Sequence, residues 1–209
     1  MSKAIKKIVL DGENLSISDV CSSVYEGVQV ELAKQSVKKV ERSRKYVEDL
    51  VKSEKIVYGI TTGFGEFASV GIKKQHAAQL QKNLIMSHAA GCGEYYEPRF
   101  VKAAMLLRAN ALAKGYSGIT LNTLQTLVSM INSDIIPLVP IHGSVGSSGD
   151  LAPLSHIVLA MLAMGDVLYA GKKTTAEAAL KHAKIKKAEL SYKEGLALIN
   201  GTQMMCGIG

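Results

Sequence analysis

From Gly143 to His156 the chain reads Gly-Ser-Val-Gly-Ser-Ser-Gly-Asp-Leu-Ala-Pro-Leu-Ser-His, small residues running straight into an apolar segment. Residues of these types could serve several chemistries. A glycine-rich loop that opens a helix can cradle phosphate on its backbone N–H groups, but no Gly-Lys-Ser/Thr follows to complete a nucleotide loop. The nucleophile turn of serine hydrolases requires Gly-x-Ser-x-Gly, and neither Ser147 nor Ser148 stands in that register. Taken alone, the glycines and serines read as a tight loop before a buried helix. Three other side chains could carry chemistry. Tyr58 precedes a glycine-containing loop, where its ring could pack and its hydroxyl bond locally, or its phenol could act as a base. His88 ends an apolar helical stripe, and Asn200 sits in Asn-Gly-Thr, which by itself reads as a turn or cap.

Taken together, four ordered stretches change the weight of these readings. They are Tyr58-Gly-Ile-Thr-Thr-Gly-Phe-Gly65, Asn83-Leu-Ile-Met-Ser-His-Ala-Ala-Gly91, the Gly143 to His156 run, and Glu194-Gly-Leu-Ala-Leu-Ile-Asn-Gly-Thr-Gln203. In this order they resemble the aromatic amino acid ammonia-lyase and aminomutase family, over essentially the whole chain from residue 7 onward. The first is similar to the family's substrate-covering loop, the second to the segment that marks its histidine-specific members. The third resembles the cofactor-forming segment, and the fourth the stretch carrying the asparagine beside the cofactor.

The resemblance implies a mainly α fold: the N-terminal active-site domain of the ammonia-lyase fold, helical and fumarase/aspartase-like, with small β-hairpins. It implies a methylidene-imidazolone (MIO) electrophile made from Ser147, Ser148 and Gly149. The Gly149 nitrogen attacks the Ser147 carbonyl carbon, and Ser148 loses its hydroxyl as water. Glycine is the least hindered nucleophile for such a closure and tolerates the bent backbone it needs. The chain departs from the family at Ser147, where most members carry alanine. Only the backbone of that residue enters the ring, while its hydroxyl can bond locally and slow condensation. A helix N-terminus at Asp150 and Leu151, with Pro153 in its first turn, would favour negative charge developing on the ring.

The other roles follow by the same resemblance. Tyr58 would be the base that takes the substrate β-proton, and Asn200 would contact the electrophile and the substrate amine. His88, Gly65, Leu151 and Gln203 would line the substrate. A neutral imidazole at His88 can both donate and accept, so it suits an imidazole or a phenol; Ser87 beside it favours histidine. The implied reaction is elimination of ammonia from L-histidine to give urocanate, with a tyrosine or phenylalanine ammonia-lyase or a 2,3-aminomutase as the alternative. A non-catalytic fragment or partner subunit is the third reading. Residues 142 and 156, both histidines, read as structural.

Composition bounds these expectations. The 209 residues are 47% hydrophobic, with 5% aromatic and no tryptophan, so a core must come from aliphatic side chains and methionine. The net charge is +7, but the lysines are dispersed, and arginine occurs only at Arg42, Arg44, Arg99 and Arg108. Solvated helix faces explain this better than a nucleic-acid surface. Cys21, Cys92 and Cys206 have neither metal-ligand nor disulfide spacing. The longest apolar run, residues 157–164, is far short of the roughly 20 residues of a membrane span. A cytoplasmic protein acting on a small amino acid, with no metal, nucleic acid or membrane partner, is expected. The family's members are longer and form tetramers, so residues 1–209 read as one N-terminal catalytic-site domain lacking the C-terminal helical bundle: a fragment, a truncated product or half of a split enzyme.

The elements that would position these groups are mostly helical. Residues 7–10, Asp11-Gly12 and residues 14–17 suggest a hairpin, and Ser36 a helix cap. Residues 55–60 look extended. Helices are expected over 74–90, with Ala77, Leu80, Leu84 and His88 on one stripe, from Pro98 to Gly115, and from Thr120. Residues 135–140 must be extended because each proline disfavours a helical predecessor. A nearly all-apolar helix over 151–164 has to be buried on every side. A second hairpin turns at Gly171, and a helix covers 175–182.

Overall fold

The computed structural model describes residues 7–53, 55–60, 62 and 77–209. Its first helix, α1 (Ile17–Glu26), is opened by Ser16: the Ser16 hydroxyl accepts from the Asp19 N–H while the Asp19 carboxylate accepts from the Ser16 N–H, a reciprocal cap. Residues 14–17 therefore enter a helix and do not form the second arm of a hairpin. Asp11 contributes to the same outcome, since its carboxylate takes the Glu13 and Asn14 N–H groups at 2.8 Å each and turns the chain toward Ser16. Strand β1 (Ile8–Leu10) instead pairs in parallel with β2 (Val30–Leu32), with α1 as the crossover.

Helix α2 (Lys34–Lys52) begins ahead of Ser36, which lies buried in its first turn. Its cap residue is Ala33, which offers no capping side chain and is itself tied to β1 by a bond from its N–H to the Leu10 carbonyl at 3.0 Å. Helix α3 (Ala77–His88) buries Ala77, Gln81 and Ile85. The stripe of Leu80, Leu84 and His88 is rotated to its half-buried flank. Gln81 takes the inner position because its side-chain oxygen accepts the Gly195 N–H at 2.8 Å, which satisfies a polar group inside the core.

Pro98 and Gly115 bracket the central helix as expected. Helix α4 (Pro98–Ala113) has proline in its first turn and a glycine at φ +78° just past its end. It buries residues on every side, including Lys102 and Arg108. Thr120 caps α5 (Leu121–Asn132) through its hydroxyl. Strand β3 (Cys92–Tyr95) pairs antiparallel with β5 (Pro140–His142), and β4 (Ile136–Pro137) borders the hairpin of β6 (Asp166–Tyr169) and β7 (Lys172–Thr175). Ala170 and Gly171 both have positive φ, the conformation a two-residue hairpin turn requires.

Helix α6 (Leu151–Met161) is buried along most of its length, as its composition demands. Helices α7 (Ala176–His182), α8 (Glu194–Ile199) and α9 (Gln203–Ile208) complete the structure. Leu106, Leu124, Leu127 and Leu154 are each at most 1% exposed, and burial of each contributes roughly 1.5–3 kcal/mol. A smaller cluster of Val47, Ile60, Ala77 and Tyr192 joins α2 and α3 to the segment before α8. Among the described residues no helix is long and apolar enough to cross a membrane, and no cluster of His, Cys, Asp or Glu could hold a metal ion.

Candidate active site

The segment between β5 and α6 is a sequence of bends over residues 146–150, with Ser147 and Ser148 exposed and Asp150 buried. Its start is fixed at Gly143, where an added Cβ would stand 3.0 Å from the Gly91 Cα and 3.1 Å from the Ala152 side chain. Its end is fixed by Asp150. The Asp150 N–H donates to the Gly201 carbonyl at 2.7 Å, and its carboxylate accepts the Met205 N–H at 2.9 Å and the Ser144 hydroxyl at 3.1 Å. The Asp150 carbonyl accepts the Leu154 N–H at 3.0 Å, so the same residue starts α6.

Between these anchors Gly149 adopts φ +95°, a conformation open to glycine and strained for other residues. Its backbone lies against Gly201. Asn200, at the C-terminal end of α8, donates from its amide nitrogen to the Ser148 hydroxyl at 3.3 Å. Ser148, Gly149 and Asn200, three of the residues singled out in the sequence, thus meet across 52 residues of chain.

Arg108 holds the other side of the Asn200-Gly201 segment, and no sequence motif pointed to it. From the middle of α4 its guanidinium donates to the Asn200 carbonyl and the Gln203 side-chain oxygen, each at 3.0 Å, and to the Ala197 carbonyl. Burial pushes its pKa down to about 10. The one available signal was its position, a lone cation in the apolar run Met-Leu-Leu-Arg-Ala at 105–109. Gln203, expected at the substrate, has its oxygen engaged by Arg108. Leu151 is half-buried and packs on the main core.

His88 closes α3 with its Nδ1 2.9 Å from the Leu84 carbonyl and 3.1 Å from the Ser87 hydroxyl. With the proton on Nδ1 donated to Leu84, Nε2 is an acceptor. The chain just after this helix is tied to α6, where Gly91 donates its N–H to His156 Nε2 at 3.2 Å. That bond satisfies His156 on the buried helix, in keeping with its structural reading, and burial lowers its pKa. His142 is exposed on β5 opposite Cys92. Tyr58 is 62% exposed on a turn over residues 58–60, where an extended strand was expected, and Ile60 ties that turn to the smaller core. Gly59 donates its N–H to the Thr62 hydroxyl at 3.3 Å. Gly65 and the rest of the loop expected at residues 61–65 lie outside the described residues.

The aromatic amino acid lyase family matches residues 15–209. The chain belongs to that family. It is 50% identical over 205 residues to a histidine ammonia-lyase of Caldanaerobacter subterraneus subsp. tengcongensis, covering 98% of this chain and 40% of that protein. Among solved structures it resembles histidine ammonia-lyase from Trypanosoma cruzi, with 36% identity and TM-score 0.91, covering 97% of this chain and 40% of that one. It also resembles the ergothioneine-degrading ergothionase from Treponema denticola, with 30% identity and TM-score 0.93, covering 97% and 41%. The chain spans about 40% of the length of the curated relatives it matches. The likeness confirms the mainly helical ammonia-lyase fold expected from the four stretches.

The residues present fit the MIO group that this family implies. Gly149 takes a positive φ within the bend at 146–150, which suits the bent backbone that ring closure would need, and the Ser148 hydroxyl that would leave is exposed beside the Asn200 amide.

Proposed function

We propose that the chain is the N-terminal, electrophile-bearing domain of a lyase that eliminates ammonia from L-histidine to leave urocanate. The observation that carries this reading is the meeting of Ser148 with Asn200 at 3.3 Å above a Gly149 packed on Gly201. Condensation of Ser147, Ser148 and Gly149 releases two waters, and the resulting MIO supplies an electrophile for the substrate α-amine. The chain's own residues do the rest. Asn200 presents an amide donor to the reacting face, which favours negative charge developing there. The N-terminus of α6 lies directly behind the loop and acts in the same sense.

Tyr58 is the base for the β-proton, its side chain 62% exposed on the turn that leads into the loop. His88, with Nε2 accepting, takes the N–H of a substrate imidazole, and the Ser87 hydroxyl helps fix its ring. The weak acidity of a β-proton makes positioning of base and substrate the main source of rate. The likeness to histidine ammonia-lyases supports histidine over tyrosine. A homotetramer is proposed from the family resemblance alone. The exposed thiols of Cys21, Cys92 and Cys206 suit a reducing cytoplasm.

Intact-mass measurement followed by incubation with L-histidine and with L-tyrosine tests the reading. A mass lighter by two waters and a conjugated ultraviolet product from histidine are expected. A full-mass chain refutes the electrophile, and product from tyrosine alone reassigns the substrate.

A further inference from the structure

We propose that Arg108 is a positioning residue for formation of the electrophile, acting through the Asn200-Gly201 segment that its guanidinium holds. The inference rests on the functional reading above. Arg108 is 7% exposed, and among the described residues no carboxylate pairs with it. A buried cation without a counter-charge is costly; Arg108 offsets part of that cost through Nη1 and Nη2, which find acceptors, while its buried Nε has none among the described residues. Here those acceptors are the Ala197 and Asn200 carbonyls at the C-terminal end of α8, together with the Gln203 side-chain oxygen. Carbonyls at a helix end lack intrahelical partners and carry partial negative charge.

What lies opposite the guanidinium gives the arrangement its purpose. Gly201 is enclosed between two surfaces. An added Cβ on Gly201 would collide with Arg108 Nη1 and Gln203 Oε1, and an added Cβ on Gly149 would stand 2.7 Å from the Gly201 nitrogen and 2.6 Å from its carbonyl oxygen. The Gly201 carbonyl also receives the Asp150 N–H at 2.7 Å. The two residues that Arg108 secures are therefore those touching the condensing tripeptide: Asn200 at Ser148, Gly201 at Gly149 and Asp150. With the segment fixed, Gly149 stays in its bent conformation and the Ser148 hydroxyl stays beside its donor. Released, both contacts loosen together, and the glycine nitrogen spends less time near the Ser147 carbonyl. The planar fork of an arginine reaches three acceptors at once, which a lysine ammonium cannot reproduce.

The test compares the unaltered chain with Arg108→Met, Arg108→Lys and Lys102→Met. Lys102 is a second buried cation on α4, paired with Asp134 and not with the Asn200-Gly201 segment, so its variant controls for loss of buried charge on the same helix. The folded fraction of each is isolated, its melting followed, and its mass recorded through time. The expected result is two-water loss at the ordinary rate in Lys102→Met, at least about tenfold slower in Arg108→Met, and intermediate in Arg108→Lys. Arg108→Met that folds and matures like the unaltered chain overturns the inference. Should Arg108→Met fail to fold, Arg108→Lys decides by the same criterion. Failure of both to fold, with Lys102→Met intact, assigns Arg108 a purely structural role and also overturns it. Full mass in the unaltered chain defeats the functional reading and this inference with it, whereas normal maturation without Arg108 defeats the inference alone.

Discussion

Gly149 and Gly201 meet backbone to backbone: a Cβ built on Gly149 would stand 2.6 Å from the Gly201 carbonyl oxygen and 2.7 Å from its nitrogen. Two backbones approach this closely only where neither residue carries a side chain on the facing surface. Gly149→Ala combines that overlap with a φ of +95°, and should cost roughly 2–5 kcal/mol of stability. Urea unfolding measures the loss, and the variant should retain its full mass even in the fraction that folds.

Asn200→Ala isolates the amide from the fold. The Asn200 side chain is exposed, and among the described residues its one hydrogen bond is to the Ser148 hydroxyl, so stability should change by less than about 1 kcal/mol. On the proposed reaction, removing a donor aimed at developing charge should lower ammonia release from L-histidine by about 100- to 1,000-fold. Melting curves and turnover measured on the same preparation check both halves.

The elements that positioned the site were legible where a single residue type does one job. Pro98 and Gly115 bracket α4, Thr120 and Thr175 cap α5 and α7, and Gly171 turns a hairpin. Errors arose where one residue could serve two purposes. Asp11-Gly12 reads as a hairpin turn, yet Gly12, at φ +84°, is where the chain passes the Lys114 backbone, within 2.9 Å of where its Cβ would be. Ser16 and Asp19 announced α1 by their spacing, a signal that outweighs the turn dipeptide. The residues proposed for chemistry were named by motif, but the groups that support them were not. Arg108 and Gly201 act through contacts over 92 and 52 residues of separation or comparable spans, which no local pattern encodes.

Glu194 is fully buried and accepts three hydrogen bonds: the Thr120 N–H and hydroxyl on one oxygen, each at 2.9 Å, and the Ser191 N–H on the other at 2.8 Å. It joins the start of α5 to the start of α8, the helix that ends in Asn200. Glu194→Gln keeps the shape but places an NH2 against groups that donate, leaving at least one of them unpaired. A loss of about 1.5–3 kcal/mol is expected, seen as a lower urea midpoint with an unchanged slope.

His156 gives the fold a pH dependence of definite sign. Its Nε2 accepts the Gly91 N–H at 3.2 Å, which only the neutral ring can do, and burial holds its pKa below the ordinary 6.5. The unfolded chain therefore binds a proton at a pH where the folded chain does not, and by linkage stability rises with pH in that interval. The contribution is fully present above pH 6.5, declines as pH falls below it, and levels off under the folded pKa. His156→Gln supplies a side-chain oxygen to the Gly91 N–H without titrating, so it should flatten this part of the profile. Urea midpoints of both proteins between about pH 5 and pH 8 make the comparison. A decline of equal steepness in the variant would place the titrating group elsewhere, and a loss of stability confined to high pH would reverse the sign of the argument.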